Sequence, residues 1–367
     1  MSATGGNSFE TQNHLIWERI SSDPGEALEM ADRVYTEAEK CQDRAAMSTA
    51  IFNRAWALVY LGRNQEAIRQ FNHDLAFFTE PDSEHAAWVY NGMVAAFSNL
   101  GILDEALDCL AKVHEINEKT GRRQPSLIAR LNTGWMNIEL EQWDKALEHL
   151  RAVEAAVSAG DQLPDPGNLL EAIGICLVHL NRYEDAEDYF RLADLCPQSS
   201  HDELYQVSVA LNRSIILEQT GQGAAAMAQA GSAMAKATAI GNQPLATKSL
   251  LRLIEIRLVF GPVGDSRALL DETLAMDDTA YPQGERIKAL ILRSTLAEQA
   301  GDLTAALRDL KEARRREARL AQDRATIKLE VLNGRLALEK ERRAHEAARF
   351  RTQDLELLNN NLEWVNR

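Results

Sequence analysis

The 367-residue sequence predicts an all-α solenoid of about eight helix hairpins, followed by one long C-terminal helix. Three observations lead to this prediction. A small residue recurs every 39 or 40 positions, the prolines lie between predicted helices, and the chain from Lys311 onward has no proline and one glycine. Stacked helix pairs produce such periods because one pair alone cannot bury its apolar face.

The repeated segments share one local pattern, in which a turn is followed by a small residue and then by an apolar residue four positions later. In the third period Gly101 leads to Ala106 and Leu110. We call the small residues the marker residues, and they are Ala27, Ala67, Ala106, Ala146, Ala186, Ala226, Ser266 and Ala306. A small side chain at this point allows the second helix of each pair to approach the first closely, so a larger one would overpack the interface.

The prolines support the same division of the chain. Seven of the nine lie late in a period, where one helix pair passes to the next, and Pro24 and Pro262 lie in the turn just before a marker residue. A proline inside a helix would cost about 3 kcal/mol, so these positions predict connectors rather than helix interiors. The small, polar residues 1–12 predict a disordered tail, which leaves a short first helix that begins at Asn13 and a solenoid over residues 13–312.

The Gly-x-x-x-x-Ala-x-x-x-Phe/Leu steps resemble the tetratricopeptide repeat. Further small residues lie twelve positions before the marker residue: Ala55, Gly134, Gly174, Ser214 and Ser294. The period is 40 rather than the usual 34, which is similar to longer-helix repeats in bacterial regulatory and sensor proteins. The resemblance implies a TPR-like, right-handed superhelix in which the first helix of each pair lines a concave groove.

Residues 313–367 predict a coiled-coil stalk. Apolar residues from Ala344 to Val365 alternate at steps of four and three, with Arg351 interrupting the series. This is the heptad spacing of a coiled-coil seam. We therefore expect a homodimer that forms through Leu355, Leu358, Leu362 and Val365.

Charge separates the same two regions. The whole chain has a net charge of −15, but residues 311–367 hold 14 Lys and Arg against 10 Asp and Glu, a net of +4. So acidic a chain is not expected to bind nucleic acid. The basic start of the stalk, around Arg314 and Arg319, predicts either a solvated helix face or a helix that docks on the acidic solenoid.

Several function classes are not expected. There is no apolar run long enough to cross a membrane and no secretory signal pattern, and the four cysteines show no zinc-binding spacing, so a cytoplasmic protein without membrane association is predicted. No phosphate-binding loop, nucleophile elbow or His-Glu-x-x-His motif is present. We therefore expect no enzyme activity, no catalytic or metal-binding residues and no cofactor.

Asparagines recur at the position that the resemblance places in the groove. Asn53, Asn132 and Asn212 lie fourteen residues before their marker residues, and Asn91 lies fifteen before its own. In some families of this superfamily, asparagines at the matching position grip the main chain of an extended peptide, because an amide offers both a donor and an acceptor. The alternative is that each asparagine bonds to a neighbouring helix or is solvated.

Aromatic and basic residues add to this predicted groove. Trp56 and Trp135 lie eleven residues before a marker residue, and Trp88 lies eighteen before one, so each is either an anchor for a ligand or part of the core. Lys248 and Arg252 stand on the first helix of a late pair. They would bind a carboxylate or phosphate, or else pair with acidic residues of the stalk.

The combined hypothesis is a sensory module that binds a protein or peptide in its groove, dimerises through its stalk and relays the result to an output domain. This arrangement resembles the N-terminal half of bacterial signalling proteins, first the GGDEF diguanylate cyclases and second the histidine kinases. We expect the output domain to lie beyond Arg367, since the heptads run to the last residues. The alternative is an assembly scaffold whose stalk docks a separate protein.

Overall fold

A computed structural model of the chain describes residues 6–80, 82–197, 202–276 and 283–365. This part of the chain contains sixteen α-helices and no β-strand. In chain order the helices are α1 Gly6–Ile20, α2 Pro24–Lys40, α3 Arg44–Tyr60, α4 Asn64–Phe77, α5 Glu84–Asn99, α6 Leu103–Lys119, α7 Arg123–Glu139, α8 Trp143–Ser158, α9 Pro166–His179, α10 Tyr183–Asp194, α11 Glu203–Gln219, α12 Gly223–Ala239, α13 Gln243–Phe260, α14 Ser266–Ala275, α15 Gln283–Gln299 and α16 Leu303–Val365.

The helices form eight consecutive pairs, and each second helix carries one marker residue near its start. Seven of the eight marker residues are completely buried, and Ala306 is 8% exposed. The first helices are equally close-packed, because an added Cβ at Gly174 would lie 2.5 Å from Cε1 of Phe190. The predicted all-α, TPR-like fold with a long C-terminal helix is therefore confirmed.

The turn within each pair explains the glycine of the repeated pattern. In six of the eight pairs, the residue five positions before the marker residue has a left-handed backbone, with φ of 73° at Gly62 and 69° at Gly101. The seventh pair differs, because Gly261 at this position has φ of −146°. Glycine adopts this conformation without steric cost and commonly ends helices for that reason. Glu141 and Asn181 hold the same position with φ of 56° and 60°, so the turn is kept where the glycine is not.

The first helix differs from the prediction. It begins at Gly6 rather than at Asn13, so the residues from Gly6 to Gln12, which the sequence placed in a disordered tail, are helical. Phe9 is buried in the same apolar cluster as Ile16 and Ile20. The sequence around Phe9 is small and polar, so its composition did not indicate a helix. The buried ring of Phe9 holds this segment against the core.

The C-terminal helix joins the last helix pair to the predicted stalk. Helix α16 is continuous over 63 residues, so the second helix of the last pair passes into the predicted stalk without a linker at residue 312. The chain forms two compact units, which we call the N-terminal unit (residues 1–129 and 324–367) and the central unit (residues 130–323).

Part of α16 packs against α6 inside the N-terminal unit, and we call residues 324–335 the docked segment. Lys328 pairs with Asp104, and Arg335 Nη2 lies 3.3 Å from Glu105 Oε2. Val331, between these two basic residues, is buried. Docking on acidic residues was considered for the basic start of the stalk, but Arg314 and Arg319 there are exposed. The docking occurs at this later segment instead.

Candidate functional site

A pocket of about 1120 Å³ opens in the N-terminal unit between α1, α3 and α5. These are the first helices of the first three pairs, which the resemblance had placed along a groove. Side-chain caps fix where two of them begin: Asp43 accepts the Ala46 N–H at 3.0 Å and Ser83 accepts the Ala86 N–H at 3.1 Å. Such caps stabilise a helix start by about 1 kcal/mol, and here they set which side chains face the pocket.

Four of the residues named from the sequence line this pocket together: Asn53, Trp56, Trp88 and Asn91. Asn53 and Trp56 lie on α3, and Trp88 and Asn91 lie on α5. Residues that were selected by their spacing from two marker residues thus line one pocket of the N-terminal unit.

One wall of the pocket is aromatic. The ring of Trp17 stacks on Phe52 with centroids 5.7 Å apart and meets Trp56 edge-on at 6.0 Å. Phe52 and His85 lie 5.4 Å apart, and His85 meets Trp88 at 6.4 Å. Trp17 and Trp88 are each 48% exposed. Large parts of both indole rings are therefore open to a ligand, and Trp17 is supported from one side by its stacking on Phe52.

The two asparagine side chains Asn53 and Asn91 differ in exposure and in hydrogen bonding. Asn53 is 2% exposed, and its Nδ2 donates to the main-chain oxygen of Asn13 at 3.0 Å and to its Oδ1 at 3.2 Å. This is a bond to a neighbouring helix, which was the alternative to peptide gripping. Asn91 is exposed at the pocket. The Nε1 of Trp56 is buried and has no hydrogen-bond partner within the described part of the chain.

A buried polar network lies behind the aromatic wall. Asp74 is completely buried, and its Oδ1 accepts from Ser48 Oγ at 2.7 Å and from Thr79 Oγ1 at 3.0 Å. Its Oδ2 lies 2.8 Å from His85 Nε2, and Ser48 Oγ lies 3.0 Å from that same nitrogen. A hydrolase triad needs the serine and the carboxylate on opposite ring nitrogens, so this network orients His85 and does not activate Ser48.

Three predicted groove residues, Asn132, Trp135 and Asn212, belong to the central unit and do not line this pocket. Trp135 packs against the core of that unit, and its Nε1 donates to Asn168 Oδ1 at 2.5 Å. Asn212 Nδ2 donates to the Ser208 carbonyl of its own helix at 2.9 Å. For Trp135, these contacts match the alternative of core packing. Asn212 bonds to its own helix rather than to a neighbouring one.

The two basic residues also lie in the central unit. Arg252 pairs with Glu218, and its Nε donates to Ser214 Oγ at 3.1 Å. Its guanidinium is therefore held by α11 and not by acidic residues of the stalk. Lys248, on the same helix α13, is exposed.

The predicted dimerisation residues Leu355, Leu358, Leu362 and Val365 lie on α16, whose backbone is described to Val365. Their side chains lie outside the described part of the structure, so the dimer seam stays a prediction. The docked segment ends at residue 335, before the heptad spacing begins at Ala344. The docked segment and the predicted seam are therefore different stretches of one helix.

Sequence reasoning missed several residues of the pocket, above all Phe9, Trp17, Phe52 and His85. Phe9 precedes the predicted start of the first helix at Asn13. Trp17 and Phe52 lie within predicted first helices, but neither was assigned to the groove, and His85 lies 21 residues before its marker residue. One signal was present, because 12 of the chain's 22 Phe, Trp and Tyr residues precede residue 130. An aromatic concentration of this kind marks the first three helix pairs as unlike the rest.

Two further features are absent from the described residues. No three His, Cys, Asp or Glu side chains there lie close enough to hold a metal ion. None of the described helices is both long and apolar enough to cross a membrane.

Comparison with known proteins identifies the fold. No protein-family model and no curated protein sequence matches the chain. Among solved structures, the apo form of the quorum sensor NprR from B. thuringiensis matches with a TM-score of 0.65 at 14% identity, over 85% of this chain and 86% of that one.

Two Rap proteins match as well. A Rap protein complexed with Competence and Sporulation Factor has a TM-score of 0.56 at 12% identity, covering 86% of this chain and 99% of that one. The Rap conjugation gene regulator of the plasmid pLS20, in complex with the Phr* peptide, has a TM-score of 0.54 at 15% identity, covering 86% and 96%. At these identities the similarity establishes the fold and leaves function to the site itself.

Proposed function

We propose that this protein is a non-catalytic binding module that captures a peptide, or an extended segment of a partner protein, in the pocket of its N-terminal unit. The observation that carries the proposal is the open aromatic wall around Trp17 and Trp88. Pockets for small molecules usually measure about 300–1000 Å³. A pocket of about 1120 Å³ has room for more than one peptide side chain.

The chemistry of the pocket suits a peptide. Half-exposed tryptophans are the side chains that most often dominate binding energy at protein interfaces, since they remove a large apolar area from water at little entropic cost. Asn91 supplies an exposed amide with a donor and an acceptor for a main-chain group. Since the amide nitrogen of Asn53 is already bonded to Asn13, we assign main-chain contact to Asn91 and a supporting role to Asn53.

The matched structures support the proposal by analogy. One of the matched Rap proteins was determined with the Phr* peptide and the other with Competence and Sporulation Factor, and NprR is described as a quorum sensor. A shared fold does not transfer a ligand, so these proteins indicate the class of partner and not its identity.

The test is selection of peptides from a random library on the intact chain, followed by affinity measurement on single variants. We expect Trp17→Ala and Trp88→Ala to weaken a selected peptide by about thirtyfold, which corresponds to the ~2 kcal/mol of an anchor residue. The matched control is Trp143→Ala, because Trp143 stacks on His179 in the central unit with ring centroids 3.9 Å apart. That variant should bind as the parent does.

Two results would contradict the proposal. One is a library that yields no peptide for the parent chain while the folded protein is intact by circular dichroism. The other is a set of selected peptides whose affinity falls with Trp143→Ala and is unchanged by Trp17→Ala and Trp88→Ala. The second result would move the binding site to the central unit.

The relay part of the hypothesis concerns α16. We propose that its heptad region pairs two copies of the chain and passes the binding signal to an output domain, for which a diguanylate cyclase is the first candidate. The scaffold alternative is favoured by Leu329 and Leu336, which lie seven residues apart on α16 and are each 61% exposed. Such a face suits a separate partner helix.

Mass measurements separate these two functions. Light scattering of the purified chain should give about twice 40.9 kDa if α16 forms a homodimer. A monomer at all concentrations would exclude the homodimer and favour the scaffold. The mass of the native protein in its own cell should exceed 40.9 kDa if an output domain follows.

A further inference from the structure

We propose that the pocket of the N-terminal unit selects a cationic side chain, arginine or lysine, of the bound peptide. This inference rests on the proposed function and names the chemistry of its ligand. The evidence for it is the negative charge of the pocket, which is a separate observation from the aromatic wall.

Apart from two histidines, the charged residues of the lining are all acidic. Glu10 on α1 and Asp43 at the start of α3 both line the pocket, and within the described residues no lysine or arginine does. The lining also contains His14 and His85. The Nε2 of His85 lies 2.8 Å from the carboxylate of Asp74. The pocket therefore presents two carboxylates and no fixed positive charge.

Asp43 lines the pocket and also caps α3. One of its oxygens accepts the Ala46 N–H. The positive end of a helix amounts to about half an elementary charge, so it offsets only part of a full negative charge. The adjacent Arg44 does not neutralise the pocket either, because its Nη2 donates to the carbonyl of Phe77 and its guanidinium lies 5.2 Å from the Phe78 ring.

Aromatic faces beside carboxylates favour a cation over a neutral group. The face of an indole ring carries negative potential and attracts ammonium or guanidinium groups within about 6 Å. Trp17 and Trp88 offer half-exposed rings in the same pocket as Glu10 and Asp43. A neutral aromatic side chain would use the rings and leave the carboxylates without a partner, whereas a guanidinium would use both.

The experiment uses the intact chain labelled with 5-fluorotryptophan, whose fluorine resonances are assigned by single Trp→Phe substitutions. The probes are five peptides of the form acetyl-Gly-Ser-X-Ser-Gly-amide, with X as arginine, citrulline, lysine, norleucine or tryptophan. Citrulline has nearly the shape of arginine without its charge. We expect both peptides to shift the resonances of Trp17, Trp56 and Trp88. The affinity obtained from these shifts should be at least ~3-fold higher for the arginine peptide than for the citrulline peptide.

Two variants remove the charges without removing structure. Asp43→Asn keeps the helix cap, because asparagine caps as well as aspartate does. Glu10→Gln changes an exposed residue of α1. Each variant should bind the arginine peptide roughly two- to fivefold more weakly and should bind the citrulline peptide with unchanged affinity. The control Glu29→Gln removes the same charge from an exposed position on α2 outside the pocket, and it should have no effect.

The outcomes separate this inference from the proposed function. Equal binding of the arginine and citrulline peptides, or preference for the tryptophan peptide, would overturn the cation preference and leave the pocket as a peptide site. An equal loss with Glu29→Gln would show attraction to the whole acidic chain, which also overturns the inference. If neither these peptides nor the library-selected ones shift the three tryptophan resonances, the proposed function fails with it.

Discussion

Gly92 joins the packing of the repeats to the wall of the pocket. It lies on α5 against the ring of Phe71, and an added Cβ would lie 2.7 Å from Cε1 and 2.9 Å from Cε2 of that ring. Phe71 is completely buried, and its ring centroid lies 6.2 Å from that of Phe52 and 6.3 Å from that of Trp56. The change Gly92→Ala therefore forces Phe71 to move among rings that form the pocket.

Two opposing terms set the size of the effect. Alanine is preferred over glycine inside a helix by about 1 kcal/mol. Overpacking a filled core costs about 1–3 kcal/mol, and a buried phenyl ring has little freedom to turn aside. Because a carbon–carbon contact of 2.7 Å lies far inside normal atomic separation, we expect overpacking to dominate at Gly92, with a net loss of about 1–2 kcal/mol.

The assay compares urea unfolding of Gly92→Ala with that of Gly231→Ala, followed by tryptophan fluorescence and circular dichroism. Gly231 lies within α12, and an added Cβ there meets no atom within 4 Å. It should therefore gain the helix preference and lose nothing. With a slope of about 2–3 kcal/mol per molar urea, Gly92→Ala should lower the midpoint by roughly half a molar, and Gly231→Ala should raise it slightly.

A Gly92→Ala variant as stable as Gly231→Ala, with unchanged fluorescence, would refute this reasoning. It would mean that α5 and Phe71 are not in the close contact on which the pocket wall depends. A variant that is less stable only in the central unit, as judged by hydrogen exchange, would refute it too.

Three further predictions concern charge and burial. Lys328→Glu should repel Glu105 and speed hydrogen exchange of the docked segment about three- to thirtyfold, whereas an unchanged rate would refute docking. Burial raises the pKa of Glu171 to about 7, so the native state holds this proton more tightly than the unfolded state does. The free energy of unfolding should therefore fall by up to about 3 kcal/mol between pH 4.5 and a pH above 7. In urea titrations, Glu171→Gln should abolish this dependence on pH. Burial also raises the pKa of the Cys109 thiol to about 12, so at pH 8 a maleimide should label the exposed Cys41 and leave Cys109 unlabelled until the chain unfolds.

The fold was predictable because its main constraints are local and repeat. Sterics within one helix pair require a small buried residue such as Ala106, which recurs in all eight pairs. They also favour a left-handed turn residue such as Gly101, which recurs in six of the eight. The exceptions also follow from local chemistry, since Asn181 tolerates the left-handed turn that glycine usually fills.

The site was predictable only in part, because its contacts join distant residues. The spacing placed Asn53 correctly on the first helix of its pair, but its partner is Asn13, 40 residues away on a helix that the sequence predicted to be shorter. Lys328 and Asp104 are 224 residues apart, and charge composition alone could not choose between a solvated and a docked helix. The periodic pattern carries no information about either pairing.

Hydrogen exchange of the intact chain with and without a library-selected peptide tests the central claim most directly. The account predicts slower exchange in α1, α3 and α5, and the effect should be lost with Trp88→Ala. Protection confined to residues 130–323, with α1, α3 and α5 unchanged, would contradict the assignment of the binding site to the aromatic pocket.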